Sequence, residues 1–462
     1  MANVLFCSLD APLIADIAWR VEREGHDVRY FISDHHPAER EIGDGFVTKS
    51  EDWRADLEWA DVVVFDDIWD GSDLGTGKIA EELRADGHAV VGGTELTDRL
   101  EDDRGFAMET LEACGVATLP HREFERFEAG IEFVRENPAP YVVKPLGEVQ
   151  NVKRLLYVGR EDDGSDVVSV LEAYEKAWGH RMKGFQLQRR VEGVEVAICG
   201  FCNGDGFVEP INLNFEHKKL FPSNIGPSTG EMGTSMFWTD RCPLFEQTLG
   251  KLEPLLAEEG YVGSMDVNCI VDADGVYPLE FTPRFGYPAI YIQEEGMETP
   301  IGEFFVAIAN GRDPDLQVHS GYQVGVRVCM PPFPYDDEKL FDETTRNAPV
   351  ALDDDSVRET YHIEDVKRVP VGESDATDDT EDVTGAVYPD GQWRVAGTSG
   401  IVLVATGTGE TMREAQERAY DRARNVLMPN CFYRTDIGDR WHTDASDRPG
   451  GDGDRLQAWG YL

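Results

Sequence analysis

The stretch Gly263-Ser-Met-Asp-Val-Asn-Cys-Ile-Val-Asp-Ala-Asp-Gly-Val-Tyr-Pro-Leu-Glu-Phe281 reads as two strands, 263–271 and 276–281, joined by the tight turn Asp272–Gly275. Asp266 and Glu280 stand 14 residues apart on them, a spacing that can bring both carboxylates to one face of the hairpin. Hard oxygen ligands of this kind suit Mg²⁺, which takes a few carboxylates together with nucleotide phosphates. On spacing alone the alternative stays open, two exposed strand carboxylates in an acidic chain.

Upstream, Lys144 closes the apolar strand 140–144, where an ammonium either reaches a phosphate or carboxylate or sits on a sheet edge. A polar turn at 147–154, a strand at 155–158, a helix at 167–177 and strands at 185–191 and 195–201 complete a mixed α/β region. Glu216-His-Lys-Lys219 followed by Gly226-Pro-Ser-Thr-Gly-Glu-Met-Gly233 sets cationic side chains beside a glycine-rich backbone, a chemistry suited to phosphate or carboxylate, or else a surface loop. A helix is expected from Thr97 to Cys114, ended by Gly115. Before it, apolar strands at 3–7, 28–32, 61–65 and 89–91 alternate with helical patterns, which predicts a parallel sheet over 1–100. Ligands of such sheets sit beyond the carboxyl ends of the strands, here Ser8–Pro12 and Asp66–Asp73. Downstream lie a strand at 321–330, an acidic loop at 371–384, a strand at 400–405, a helix at 411–426 and an Asp- and Gly-rich stretch at 443–454 that reads as a mobile tail.

The chain of 462 residues carries 43 Lys and Arg against 89 Asp and Glu, a net charge of −46 with a pI near 4.4. Nucleic acid and anionic membranes are excluded as general partners by that sign. The acids are scattered along the chain and only 11 of the basic residues are Lys, the pattern of a hydrated acidic shell adapted to a high-salt cytoplasm. Met1–Asp10 has no signal-peptide pattern and no run of about 18 apolar residues occurs, so a cytoplasmic location is expected. Cys199 and Cys202 form a lone C-x-x-C on a strand, read as two buried thiols and given no metal.

Taken in order, these pieces resemble the ATP-grasp fold and, within it, the phosphoribosylamine–glycine ligase (glycinamide ribonucleotide synthetase) family. His217-Lys218 with Gly226–Gly233 is similar to the family's HK…GPNTGGMG, Arg284-Phe-Gly286 with Pro288 to RFGDPE, and Cys431–Gly438 to its C-F-x-R-x-D-I-G ending. The resemblance implies a multidomain α/β and α+β fold: an N-terminal parallel-sheet (pre-ATP-grasp) domain over 1–100, an ATP-grasp domain of two subdomains over 101–315 with its lid at about 119–190, a small C-terminal β/α domain over 316–440, and an acidic tail over 441–462. It implies ATP with Mg²⁺ or Mn²⁺, and a carboxylate and an amine as small-molecule substrates in purine biosynthesis, on a monomer or homodimer.

Residue by residue, the resemblance implies that Lys144 and Arg104 contact ATP phosphates, that Gln188, Arg190 and Val191 lie in the hinge reading adenine, and that Glu195 holds the ribose. Asp266, Glu280 and Thr282 would bind the metal. His217, Lys218 and Arg284 would serve the reaction, and Pro227, Ser228, Thr229, Gly230, Met232 and Gly233 the amine and the acyl phosphate. The chemistry implied is phosphorylation of a carboxylate and attack of an amine on the acyl phosphate, with cations offsetting the charge of the transferring group.

The chain departs from the family at Arg104, where a lysine is usual, and in four further places. The glycine-rich flap is Gly147-Glu-Val-Gln-Asn-Val-Lys-Arg154, where Lys153 or Arg154 can substitute by charge; Thr282 replaces an Asn ligand; Tyr287 replaces an Asp. The N-terminal motifs GNGGREH and GPEAPL are Cys7–Leu13 and Phe65–Asp70, and their Asp10, Asp66 and Asp67 would repel a phosphate. Three readings stay open: the purine-pathway ligase, a paralogue joining a different amine, and a non-catalytic nucleotide-binding protein. The acidic shell itself generates one expectation: the thermal midpoint rises as KCl is raised from about 0.1 M to about 3 M, where screening shortens to about 3 Å or less. A midpoint that fell over that range, followed by circular dichroism, would rule out the salt adaptation.

Overall fold

The computed structural model describes residues 1–33, 37–69, 75–149, 152, 155–370, 391–441 and 450–462. The apolar runs Asn3–Ser8 and Val62–Phe65 are buried on both faces, as strands of a covered parallel sheet must be. They lie side by side at the centre of five parallel strands, flanked by Asp27–Ile32 and Lys49–Ser50 on one side and Val90–Val91 on the other. The helix Ala15–Arg23 buries Ile17, Ala18 and Val21, and Thr76–Ala85 buries Ile79, Ala80 and Leu83. Gly92 then bridges to Val262, its amide donating to the Val262 carbonyl at 2.8 Å, which ties this sheet to the larger one.

The single helix expected over 97–114 is two helices, Glu95–Asp102 and Arg104–Ala113. Asp103 between them has an extended backbone, and its carboxylate accepts from the Phe106 amide at 3.0 Å. It ends one helix and caps the next, and the apolar periodicity running across the break hides this in the sequence. The lid region holds a four-stranded antiparallel sheet ordered His121–Phe124, Phe185–Arg189, Tyr141–Pro145, Tyr157–Val158, with the helices Phe127–Glu136 and Ser165–Trp178. Phe124, Val134, Tyr141, Val143, Leu171 and Phe185 give it a core separate from the main one.

The main body is an eight-stranded antiparallel sheet. Its order is Val276–Thr282, Val262–Val271, Val194–Asn203, Ile211–Glu216, Gly233–Thr239, Tyr322–Cys329, Ile401–Gly409 and His362–Ile363. The sheet therefore runs without interruption from the expected grasp region into strands beyond residue 316. Val194, Val196 and Ile198 face the core on one side, while Glu195 and its alternate neighbours line the other. Cys199 and Cys202 are buried on this sheet as free thiols.

Of the stretch 443–454 expected to be a mobile tail, 443–449 lie outside the described residues, and its end opens a helix, Asp452–Ala458, with Leu456 in the core and Asp452 held by Arg440 at 2.6 Å. A specific ion pair and an apolar anchor outweigh a composition that favours loop. The expected acidic loop at 371–384, part of the turn 147–154, including Lys153, and part of the segment 66–73 lie outside the described residues. Among the described residues no helix is long and apolar enough to cross a membrane.

The N-terminal sheet is fastened to the strand His362–Ile363 by a buried carboxylate. Asp16 accepts from Arg20 at 2.7 Å and from the Ile363 amide at 2.8 Å, and meets His362 Nδ1 at 2.7 Å. Burial alone would push its carboxyl up, but Arg20 and His362 overcome this and hold it below the ordinary range. Because the folded value is depressed, the stabilisation is complete above the unfolded value of about 3.9 and is lost as pH falls below it. Asp16→Ala is expected to cost about 3–5 kcal/mol in denaturant unfolding near neutral pH, as for removal of one partner of a buried pair. The difference from wild type should shrink in acid; a cost under about 1 kcal/mol would contradict this role.

Candidate active site

Period-two alternation builds the floor of the site. Asn212, Asn214 and Glu216 share one face of their strand, and pairing sets Asp266 opposite Thr282 and Asn268 opposite Glu280 on the same face. Asn214 Nδ2 donates to Asp266 Oδ2 at 3.0 Å, and Asn268 Nδ2 to Glu216 Oε2 at 3.0 Å. Lys218 reaches over this floor from the short link between Ile211–Glu216 and Lys219–Phe221. Its ammonium lies 2.7 Å from Glu280, 3.1 Å from Glu216 and 3.7 Å from Glu195. Burial works against that charge, yet Glu216, Glu280 and Glu195 together raise the ammonium well above its ordinary value. Lys218 in turn holds the Glu280 carboxyl down to about 2 despite burial. Asp266, deeper in the floor, is pushed up by burial and by Glu216.

Opposite the carboxylates stands a cationic wall from the lid side. Lys144 is 6% exposed, and burial together with the neighbouring Arg104 pulls its ammonium down to about 7, against the attraction of Glu280. Arg104, at the start of its helix, donates to the Pro145 carbonyl at 2.9 Å, which keeps the two cations together. A buried, destabilised ammonium beside a guanidinium is a site prepared for an anion. Gln188 is buried with Nε2 unpartnered among the described residues, next to the turn that carries Arg190 and Val191. Arg190 is fixed by Gly159 O at 3.1 Å and by Glu192. Gly193 closes this turn where a Cβ would come within 2.2 Å of Val271 O, so only glycine lets Glu195 enter the sheet there.

His217 lies between Glu216 and Lys218 and points to the other side of the chain. It is 3% exposed, and burial with the nearby Arg440 and Arg434 holds its imidazole well below the ordinary value, hence neutral. The loop after it is a hairpin, Lys219–Phe221 with Ile225–Ser228. Pro227 and Ser228 belong to the returning strand; Thr229 donates through its amide and hydroxyl to Lys218 O at 2.8 and 3.0 Å; Gly230 is exposed. Met232 packs with Leu220 and Cys329 and donates to His217 O at 2.9 Å, and His217 N donates to Gly233 O at 3.0 Å. The loop is thus a braced hairpin with several of its amides engaged.

Arg284 is drawn toward the N-terminal sheet. Its guanidinium donates to Glu101 at 2.8 Å and to Phe285 O at 3.0 Å and lies 3.7 Å from Asp67. Glu101 is pushed up to about 7 by burial, against Arg284. The sequence reading missed Asn214, Glu216 and Asn268, whose polar residues at every second position inside otherwise apolar strands are the signal that could have found them. It also missed Arg440, which donates to Glu195 O at 2.6 Å and Glu216 O at 3.2 Å and so clamps the two strands that bear those carboxylates.

Among the described residues no three His, Cys, Asp or Glu side chains converge as a complete metal cage. The donor set fits Mg²⁺ in the form that draws on few carboxylates and completes its shell with phosphates and water. Two buried amide oxygens of the floor, Asn214 Oδ1 and Asn268 Oδ1, have no partner among the described residues, which suits a hydrated cation above them.

Comparison with known proteins agrees with this architecture. Residues 102–290 match the profile of the phosphoribosylglycinamide synthetase ATP-grasp (A) domain and residues 360–440 that of the C domain of the same family, together more than half of the chain. Phosphoribosylamine–glycine ligase of Streptococcus pneumoniae is 25% identical over 380 residues, covering 78% of this chain and 81% of the relative. That of Rhizobium meliloti is 25% identical over 367 residues, covering 78% and 80%. Among solved structures, phosphoribosylamine–glycine ligase from Thermotoga maritima superposes with a TM-score of 0.64 at 20% identity over 94% of this chain and 100% of that one. The biotin carboxylase–β,γ-ATP complex from Campylobacter jejuni gives 0.59 at 12% over 95% and 94%. With two family profiles matched in order along this architecture, the chain belongs to the phosphoribosylglycinamide synthetase family of ATP-grasp proteins.

Proposed function

We propose that the protein is an ATP-dependent carboxylate–amine ligase that forms an amide through an acyl phosphate. The observation that carries this reading is the meeting of Lys144 and Arg104 with Lys218, Glu280 and Asp266 between the lid and the eight-stranded sheet. Such an arrangement has both halves of a phosphoryl-transfer site, cations for the phosphate oxygens and carboxylates for their metal.

In this reading Lys144 and Arg104 bind nucleotide phosphates, Gln188 to Val191 border the adenine, and Glu195 takes the ribose. Asp266 and Glu280, with Thr282 and the floor amides, would hold Mg²⁺ or Mn²⁺, which would supply charge neutralisation at the transferring phosphoryl group. Lys218, tied to three carboxylates, is the cation that would face the transferring phosphoryl group. Pro227, Ser228, Thr229, Gly230, Met232 and Gly233 shape the wall around that group, with His217 bracing it as a neutral residue. With Thr282 in place of Asn, the unpartnered carboxamide oxygens of Asn214 and Asn268 would be the neutral oxygen donors left to such an ion.

The amine remains a separate matter. Arg284, engaged by Glu101 and Asp67, favours a paralogue whose amine differs from phosphoribosylamine over the purine-pathway enzyme.

ADP release by the full-length protein in molar KCl with Mg-ATP is the test, with a carboxylate such as glycine and a panel of amines. Release that needs carboxylate and amine together is expected, and Glu280→Gln should lower kcat by at least about a hundredfold with the fold intact by circular dichroism. Unchanged turnover in that variant would remove Glu280 from the metal site. Tight Mg-ATP binding without release from any pair would favour the non-catalytic reading.

A further inference from the structure

The loop Gly226-Pro-Ser-Thr-Gly-Glu-Met-Gly233 carries Glu231 where the pattern GPNTGGMG has a glycine. The side chain is turned inward, 5% exposed, and its Oε1 accepts from Thr234 Oγ1. Thr234 is the cross-strand partner of Glu216, so both side chains stand on the floor face of the sheet. The Glu231 carboxyl therefore lies at the end of the floor, within electrostatic reach of Glu216 and Lys218. Its main chain is braced from the neighbouring strand, where Arg327 Nη1 donates to Glu231 O at 3.0 Å. A carboxyl buried where glycine suffices for the turn costs stability, and the loop keeps it beside the reacting groups.

The cations within reach are engaged with other carboxylates. Arg327 Nε donates to Glu364 at 2.8 Å, and Lys218 is shared among Glu280, Glu216 and Glu195. Burial and the like charge of Glu216 push the Glu231 carboxyl up to about 8, against Thr234, Arg327 and Lys218. An ordinary glutamate, near about 4.3, is a poor proton acceptor for an alkylammonium near about 10.4. A carboxyl close to the working pH exchanges that proton far more readily.

We infer that Glu231 is the base of amide formation, taking a proton from the ammonium form of the amine substrate at the wall formed by the loop 226–233. The inference rests on the ligase reading and adds to it the group that readies the nucleophile. One ammonium N–H bond breaks, the proton passes to the Glu231 carboxylate, and a lone pair is left on nitrogen. That pair forms the C–N bond at the carbonyl carbon of the acyl phosphate. The C–O bond to phosphate breaks with its electrons on the leaving group, and the next proton of the nitrogen departs on that phosphate. Glu231 then returns its proton to solvent, while Thr234 keeps the carboxyl oriented.

Product formation by the full-length protein in molar KCl at about pH 8, with Mg-ATP and glycine, tests this with two small nucleophiles. Ammonium chloride supplies a mostly cationic one, and hydroxylamine is uncharged there and needs no base. In Glu231→Gln, amide formation from ammonia is expected to fall at least about a hundredfold, and hydroxamate formation less than about threefold. Glu231→Gly, which installs the residue of the family pattern, should show the same split and keeps the test decisive if glutamine disturbs Thr234. Equal losses with both nucleophiles would make Glu231 a brace of the loop, and an unchanged rate with ammonia would remove it from the step. Either result, or a wild type that makes hydroxamate but no amide from ammonia, overturns the inference while the ligase reading stands. A wild type that forms neither product, with glycine or with a panel of other amino acids, defeats the ligase reading itself and the inference with it.

Discussion

One ammonium surrounded by carboxylates organises this molecule. Lys218 sits among Glu195 and Glu216 of two consecutive strands and Glu280 of a third, more than 60 residues on. Each carboxylate would repel the others if brought together in water of low salt, and the strands that carry them would be pushed apart at their polar face. The lysine makes the floor of the site compatible with an assembled sheet, and it leaves a cation where a ligand-borne cation can later act. Strand pairing, the braced hairpin after His217 and the clamp from Arg440 all serve to hold that one arrangement.

The same economy of positive charge recurs through a chain with so few lysines. Arg434 is fully buried, bonded to Lys219 O and Asn224 Oδ1 at 2.8 Å and paired with Asp436, so that it fixes both ends of the hairpin. Arg327 pairs with Glu364 and donates to Glu231 O at 3.0 Å. In each case a planar guanidinium joins backbone and carboxylate at once, which a single ammonium cannot do with the same geometry. The outer acids answer to solvent and salt, while the inner arginines answer to specific partners.

Much of the fold was legible because its signals are local. The two strands around Asp272–Gly275 carry their turn between them, and the parallel strands of the N-terminal sheet are continuous apolar runs. What escaped depends on contacts between distant residues. Asp103 breaks a helix inside an unbroken apolar period; the helix Asp452–Ala458 forms in a loop-like composition because Arg440 waits for Asp452. The resemblance drew attention to Lys218 and Glu280 and away from Glu216, one residue before the quoted His-Lys pair, although its alternation with Asn214 and Asn212 was there to be read. Arg284 could be named from its motif, but its capture by Glu101 and Asp67 needed the sheets in place.

The lid keeps its buried side chains to itself. Phe124 and Phe127 each stack on Phe185, and the four-stranded sheet beneath them shares no strand with the eight-stranded one. Displacing this unit would therefore uncover little of its own apolar core, while polar contacts such as Arg104 to Pro145 O would have to be broken. If the ligase proposal holds, entry and exit of nucleotide past this unit would respond to ionic strength, over and above the effect of salt on stability.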